Sequence, residues 1–514
     1  MWDLTKSSRI VGSPQVVVPG RAWTQEEIRQ RLNIEHPTAI KMFASPHIRT
    51  RHLAYLSHGE PLMSFSEAQA YRGNYANGKV NENINNESIM VSTPERDLDS
   101  VLLAPELTIP REEKVQPNAK DRETLFDRAA SEMATTAVQK ALSNSNLDAS
   151  QIDVLTAVTS TALPMPGLTA RIVGAKVMTF RSNVQRMDVV GMGCNGGLSA
   201  LRTLAMTLQQ LALSRNTRVF GLLICCEVNS CMFLANDTPG DGIVNALFGD
   251  AAVAVILHAN PLTVSLRSNC HHVQWSDSSR LPSTIVDTSV SSASSDSSLV
   301  EPTKPIIDLI DFESHTFTEC FEDMKYVVDE KTQLNHFVLS KRIPFAMGSQ
   351  AHIPVRALLA RHNGLGSADI DHFVVHGGGR KVIEGLAEGL GIPNDEAAAK
   401  FRHTISVLRD YGNLSSGSFL VSLQRLYEEL DCKKDKEQAD RAPIELDINC
   451  FYVGQTVLFM AMGPGATVEV ALGVVNDGTD VMLRVRTHKE CRCTFFRDSV
   501  LTVQQDNILN EGSS

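Results

Sequence analysis

The sequence predicts an α/β protein made of two related halves, and three observations carry that reading. Short apolar strand patterns alternate with helix-periodic segments from about residue 121 to 472. A glycine turn, a long helix, an apolar strand, a second turn and another apolar strand occur in that order twice. Hydrophobic residues at 43% and charged residues at 21% are the composition of a globular chain with a sizeable core. A length of 514 residues corresponds to roughly two to four domains.

Residues 1 to about 120 read as mixed and loop-rich, with an Asn-rich stretch at 74–86 expected to be exposed. Ala129, Ala130, Met133, Val138 and Leu142 fall broadly on one side of a helix over 121–142. The Val- and Thr-rich run 152–159 is a strand that ends in the turn Pro164-Met165-Pro166-Gly167. A strand at 187–190 leads through Gly191-Met192-Gly193-Cys194-Asn195 into a helix over 198–213. That helix is apolar around most of its circumference and is expected to be buried. Continuous apolar strands at 219–226 and 252–257 flank the turn Phe248-Gly249-Asp250.

From 267 to 305 the pattern gives way to a Ser-rich segment with few large apolar groups, expected as an inserted loop. Order resumes at 337–343, followed by a helix at 354–362 and a strand at 370–375. A helix over 415–426 and strands at 456–460 and 466–472 complete the second half, with a charged insertion expected at 428–441. The partition is therefore an N-terminal half at 1–266, the insertion at 267–305, a C-terminal half at 306–475 and a tail at 476–514.

A net charge of -11 argues against a general nucleic-acid binder, so an anionic ligand would need a local basic patch. No run reaches the roughly 18 apolar residues of a membrane helix, and Met1–Lys6 lacks a basic-then-apolar signal architecture. The ten cysteines do not form a disulfide framework: Cys225 and Cys226 are adjacent within a strand, and Cys491-x-Cys493 has no second metal-ligand pair at finger spacing. A cytoplasmic location is expected, and no metal site.

Four turns set a polar group or a bare backbone at the end of an apolar element. Cys194 stands at the first turn of a helix, where the N-terminal partial positive charge favours thiolate, although buried cysteines at such turns are often inert packing residues. His376 ends the 370–375 strand and is followed by three glycines, which would leave the imidazole uncovered. A lone strand-end histidine is more often structural. Asn413 lies in Asp410-Tyr411-Gly412-Asn413-Leu414-Ser415-Ser416-Gly417, where Asn413 or Ser415 also serves as a helix N-cap. The turn Met462-Gly463-Pro464-Gly465 brings backbone N–H groups towards an acyl group or simply makes a hairpin.

Taken together these segments resemble the type III polyketide synthases, on the thiolase fold. Gly191–Asn195, Ala246-Leu247-Phe248-Gly249-Asp250, His376 with its glycines, Val407–Ser418 and Gly463-Pro464-Gly465 carry the resemblance, in that order. The Cys-Asn pair, Arg409–Phe419 and Lys381-Val382-Ile383 are most similar to bacterial 3,5-dihydroxyphenylacetyl-CoA synthases. The likeness covers about 120–260 and 335–473, with a fainter match near 41–56. It departs at Gly196, where relatives usually have Ala, at Gly377, Arg380 and Ala251, and in the insertions and tail.

The resemblance implies a layered αβαβα fold and a homodimer. It implies Cys194 as the nucleophile that takes an acyl group from CoA, with His376 paired to it. His376 and Asn413 would donate hydrogen bonds to the thioester oxygen of malonyl-CoA, and loss of CO₂ would give an enolate that attacks the Cys194 thioester. Two fixed donors stabilise such charge without reorganising water. CoA thioesters are then substrates, and no metal or redox cofactor is required.

Phe248 and Phe337 match two aromatic positions at the entrance to the reaction cavity, ordinary core packing being the other reading. Gly463, Pro464 and Gly465 match a substrate-facing turn. Lys41, Arg49 and Arg51 match positions that bind CoA phosphates, where a solvated charge run is the plainer account. Malonyl-CoA as both starter and extender is the leading expectation. A longer or aromatic starter, accommodated by the small residue at 196, is the second. A non-catalytic assembly partner docking through the Ser-rich segment is the third.

Overall fold

The computed structural model describes residues 7–57, 60–69, 119–233, 239–261, 306–328, 335–362, 364–439 and 454–476. The Asn-rich stretch, the Ser-rich insertion and the tail from 477 onward lie outside them.

Eleven strands are used below: β1 (Ser8–Pro19), β2 (Ile152–Val158), β3 (Gln185–Val189), β4 (Val219–Glu227), β5 (Ala251–Ala259), β6 (Ile306–Thr316), β7 (Met324–Val328), β8 (Asn335–Leu339), β9 (His372–Val375), β10 (Thr456–Gly463) and β11 (Thr467–Asn476). The helices that position the site are α1 (Ala119–Asn144), α2 (Gly196–Arg215), α3 (Pro239–Leu247), α4 (His352–Ala360), α5 (Arg380–Gly389), α6 (Arg402–Tyr411) and α7 (Ser418–Ala439). One sheet runs β9-β10-β11-β6-β1-β5-β4-β2-β3, with a short strand at Leu62–Ser64 paired to β1.

The two halves are related by strand direction. β2 is parallel to β4, which is antiparallel to β5, which is antiparallel to β1. On the other side β9 is parallel to β10, which is antiparallel to β11, which is antiparallel to β6. The two outermost members of this relation meet at β1 and β6, which pair over Ser8–Ile10. In each half a long helix, α2 or α7, immediately precedes the second of these strands.

Period-two alternation divides each half-sheet between two cores. Leu222, Ile224, Ala252 and Ile256 face outward onto Ala130, Met133 and Ala137 of α1. Leu223, Cys225, Val253 and Val255 face inward with Leu198, Leu201, Leu204 and Leu208 of α2 and Phe419, Leu420 and Leu423 of α7. Phe459, Ala461 and Ala471 close that inner core from the other half-sheet. Leu458, Met460, Val468 and Val470 turn outward onto α4 and α5. Helix, sheet, paired helices, sheet and helix therefore stack in five layers. Each fully buried Leu of α2 contributes about 1.5–3 kcal/mol of apolar burial.

Several boundaries differ from the sequence expectations for physical reasons. β1 lies in the region expected to be loop-rich, because Gly12-Ser13-Pro14 splits its two apolar runs; the pairing with β5 shifts register between Val11 and Gln15, and Gly12 adopts φ +72°. β3 is an edge strand with mostly exposed side chains, not a buried one. α2 is only half enclosed, with Met206 and Leu213 exposed. The charged insertion expected at 428–441 is, through Ala439, a continuation of α7. Its Glu and Lys residues suit a helix as well as a loop.

Candidate active site

Strand ends position the chemistry. Ser160 follows β2, Cys194 follows β3, Glu227 ends β4, His376 follows β9 and Gly463-Pro464 closes β10. All are carboxyl ends of strands in parallel pairs, where open α/β sheets bind ligands.

Cys194 lies in a one-turn helix, Gly193–Asn195, that runs into α2. Glycines permit two close approaches there. A Cβ at Gly193 would fall 2.3 Å from Pro464 Cδ, and one at Gly197 would fall 2.1 Å from the Ser416 carbonyl oxygen. The Cys194 turn is thus clamped between the Gly463-Pro464-Gly465 turn and the 415–417 turn. A Cβ at Gly196 would meet Val158 at 3.1 Å and Met192 at 3.3 Å. Gly196 faces the sheet and not the cavity, so it does not enlarge the substrate space.

The cavity beside Cys194 is lined by Ser160, Asn229, Met232, Val244, Phe248, Tyr326, Phe337, Ser415 and Pro464 among others, and holds about 30 Å³. Phe248 and Phe337 meet edge-to-face at 5.8 Å, and Tyr326 packs on Phe337 at 5.3 Å. Tyr326 and Phe337 are cross-strand partners in the β7–β8 hairpin.

Ser415 Oγ lies 3.5 Å from the Cys194 sulfur, which accepts a hydrogen bond from it. Burial pushes the Cys194 thiol up to about 12, with Ser415 acting against the shift and the Glu227 carboxylate adding to it. Burial thus works against the thiolate that the helix N-terminus favours.

His376 is buried, not uncovered: its main-chain N–H donates to Met460 O at 2.8 Å, and its Nδ1 has no partner among the described residues. Gly377 is required for packing, since a Cβ there would lie 2.7 Å from Thr404 Cγ2. Burial lowers the imidazole to about 4, while the Ser415 main chain acts to raise it. Asn413 Oδ1 accepts from Ser415 N–H at 2.8 Å, and Asn413 Nδ2 donates to Gly378 O at 3.2 Å. The side chain forms an Asx-type turn that leads into 415–417, and its amide carries a second N–H. Ser415 links the three groups: its Oγ reaches the Cys194 sulfur, its N–H the Asn413 carboxamide and its main chain the His376 ring.

Lys41 and Arg49 are exposed. Arg51 is not: it is fully buried, with Nε donating to Gln25 Oε1 at 2.9 Å and Nη1 to the carbonyls of Asn245 at 2.6 Å and Phe248 at 2.8 Å. Its expected role at a solvent-exposed phosphate is corrected to a clamp that fixes the end of α3 and the Phe248 turn. Burial lowers Arg51 to about 9 against the pull of Asp250, and burial raises Asp250 to about 6 against hydrogen bonds from Ser230 and Ala54.

Glu227 and Tyr326 are site residues that sequence patterns missed. Glu227 is fully buried and accepts from Ser160 N–H at 2.9 Å, Ser160 Oγ at 2.7 Å and Ser416 Oγ. Its signal was a charge closing an otherwise unbroken apolar strand. Tyr326 lies in a stretch with no periodic pattern and had no comparable signal.

The buried histidines set the acid limit of the fold. Burial lowers His376 to about 4 and His258 to about 3, and lowers His403 as well, all from 6.5. An unfolded chain takes up those protons first, so their contribution is complete above pH 6.5 and is lost as pH falls towards 4 and then 3. Asp250, raised to about 6 from 3.8, works in the opposite direction over a narrower range. Urea midpoints are therefore expected to fall steadily below pH 6.5, and a flat profile to pH 4 would contradict the assigned burial.

Comparisons with known proteins agree with this geometry. Residues 88–261 match the family described as chalcone and stilbene synthases, N-terminal domain, and residues 360–438 match 3-oxoacyl-[acyl-carrier-protein] synthase III, C terminal. The chain is 32% identical over 345 residues to a 3,5-dihydroxyphenylacetyl-CoA synthase of Amycolatopsis balhimycina, covering 67% of this chain and 73% of that one. It is 26% identical over 359 residues to a 1,3,6,8-tetrahydroxynaphthalene synthase of Streptomyces coelicolor, covering 70% and 75%. The crystal structure of 1,3,6,8-tetrahydroxynaphthalene synthase from Streptomyces coelicolor A3(2) superposes with a TM-score of 0.58 at 22% identity, over 91% of this chain and 99% of that one. The five-layer architecture is that fold.

Proposed function

The chain belongs to the type III polyketide synthases, which are acyltransferases, and from that premise we propose that it condenses malonyl-CoA units on Cys194 into a resorcinol-type product related to 3,5-dihydroxyphenylacetyl-CoA. The observation that carries this reading is the cavity with the Cys194 sulfur at one side and serine, asparagine and tyrosine groups around it. Gly196 faces Val158, so the feature that favoured a larger starter is absent.

In the proposed cycle the Cys194 sulfur passes its proton to the His376 ring and attacks the thioester carbonyl of a bound malonyl-CoA. The CoA sulfur leaves with that proton returned from the ring, and the acyl group stays on Cys194. A second malonyl-CoA breaks its carboxyl C–C bond, releases CO₂ and leaves an enolate. The free N–H of Asn413 and the His376 ring supply donors to the enolate oxygen; one such donor is worth about 3–4 kcal/mol of barrier. An amide donates without delivering a proton that would quench the carbanion. The enolate carbon attacks the Cys194 thioester and expels the sulfur, and the lengthened chain, now on CoA, returns to Cys194 for the next round.

Phe248 and Phe337 would form the entrance, Gly463, Pro464 and Gly465 the opposite wall, and Lys41 and Arg49 exposed cations for CoA phosphates. The proposal includes a cytoplasmic homodimer with CoA thioesters as substrates and no metal or redox cofactor.

Purified protein given malonyl-CoA alone is expected to release CO₂ and CoA and to yield a tetraketide-derived aromatic product by mass spectrometry. Product only when a long or aromatic acyl-CoA is added would replace this starter assignment with the alternative one.

A further inference from the structure

Counting hydroxyl protons around Cys194 leads beyond the three groups used above. Burial raises the Glu227 carboxyl against the hydrogen bonds that reach it, and the geometry has it accepting from Ser160 N–H and from the Ser160 and Ser416 hydroxyls. Ser160 directs both its N–H, at 2.9 Å, and its hydroxyl, at 2.7 Å, to Glu227. The one hydroxyl proton of Ser160 is thereby committed. Ser160 Oγ also lies 3.0 Å from Ser415 Oγ, so in that contact Ser415 must be the donor. Yet Ser415 Oγ is 3.5 Å from the Cys194 sulfur as well. Ser415 has a single proton and two acceptors.

We propose that Ser415 is a positioning residue whose one hydroxyl proton is exchanged between Ser160 and the Cys194 sulfur as the sulfur changes state. With a neutral thiol, Ser415 is free to donate to Ser160, and Ser160 donates to Glu227. With a thiolate no S–H is left, and the negative sulfur draws the Ser415 proton. The Ser160–Ser415 contact is then two lone pairs facing each other. Ser415 therefore favours the thiolate, whereas Ser160, held by Glu227, opposes it.

The same residue holds the other two groups. Its N–H fixes the Asn413 carboxamide at 2.8 Å, and its main chain faces the His376 ring. It does so at φ +50°, a left-handed conformation that a non-glycine residue adopts only when its surroundings hold it there. One strained residue thus touches nucleophile, imidazole and amide together. The inference rests on Cys194 being the acyl carrier proposed above only for its meaning in catalysis; the ionisation itself needs no substrate.

The test is the rate of Cys194 alkylation by iodoacetamide in the full chain, read peptide by peptide in a mass spectrometer across neutral to alkaline pH. Ser415→Gly keeps the left-handed backbone comfortable while deleting the hydroxyl, and is expected to slow alkylation about tenfold at each pH below the inflection. Ser160→Ala frees the Ser415 proton for the sulfur and is expected to speed alkylation several-fold, with Ser160→Thr returning it to the wild-type rate. A purely steric role predicts that both truncations speed the reaction, because each opens space beside the sulfur. That outcome, or slower alkylation of Ser160→Ala alone, overturns the proposal. Absence of polyketide product with these rates as expected would instead count against the assigned chemistry, so the two fail separately.

Discussion

The Cys194→Ala protein is expected to make no condensed product from malonyl-CoA, with the loss in kcat on the order of 10⁶ for deletion of a covalent nucleophile. Without sulfur there is no thioester to carry the chain between rounds, whatever the remaining donors do. The Asn413 N–H and the His376 ring survive the substitution, so CO₂ release is expected to persist while carbon–carbon bond formation stops. That uncoupling separates loss of the acyl carrier from collapse of the pocket, which would abolish both. Mass spectrometry of products and a parallel CO₂ assay decide the matter; robust polyketide formation by the variant would refute the assignment of the nucleophile.

The second large effect concerns stability. Arg51→Met removes the cation that faces the buried Asp250 and leaves the carbonyls of Asn245 and Phe248 without their donor. Leaving buried acceptors without their donor costs about 1–3 kcal/mol each, and denaturant unfolding should report a loss of that order at neutral pH. Asp250 already sits at about 6 with the guanidinium present. Without it the carboxyl moves higher, and the folded variant takes up a proton that the unfolded chain declines until lower pH. Part of the deficit should therefore be recovered as pH falls towards 4, before histidine protonation dominates. An equal deficit at all pH values would mean that the two groups are not coupled.

Much of the architecture was legible because α/β alternation is written in local periodicity. The strands 219–226 and 252–257 and the helix that follows Cys194 were placed to within about two residues, because unbroken apolar runs admit few alternatives. Strand β1 was missed because a bulge divides its hydrophobic pattern, and β6 because Asp308, Asp311 and Glu313 interrupt its run. Asp308 is buried but paired with Arg9, a contact between residues about 300 apart that no local pattern reveals. The turns at Cys194, His376, Asn413 and Gly463 were identifiable as strand and helix ends, and the structure gathers all four around Ser415 and the cavity. Arg51 was misjudged because a basic residue near the N-terminus reads as solvated unless its burial is known. The Glu227–Ser160–Ser415 chain was invisible for a different reason: it is made of common residues from three distant segments, and only the direction of each proton gives it meaning.

Strand β1 has a consequence for how the molecule is made. Ile10 pairs with Leu257 on one edge and Ile307 on the other, so it joins two sheets whose own strands are synthesised hundreds of residues later. On a translating ribosome this apolar ribbon emerges well before β5 and β6 and must wait until those neighbours exist. The early chain is thus an aggregation hazard that later synthesis removes. Folding yield from a heterologous host should depend more on chaperone supply than on the final strength of the native state.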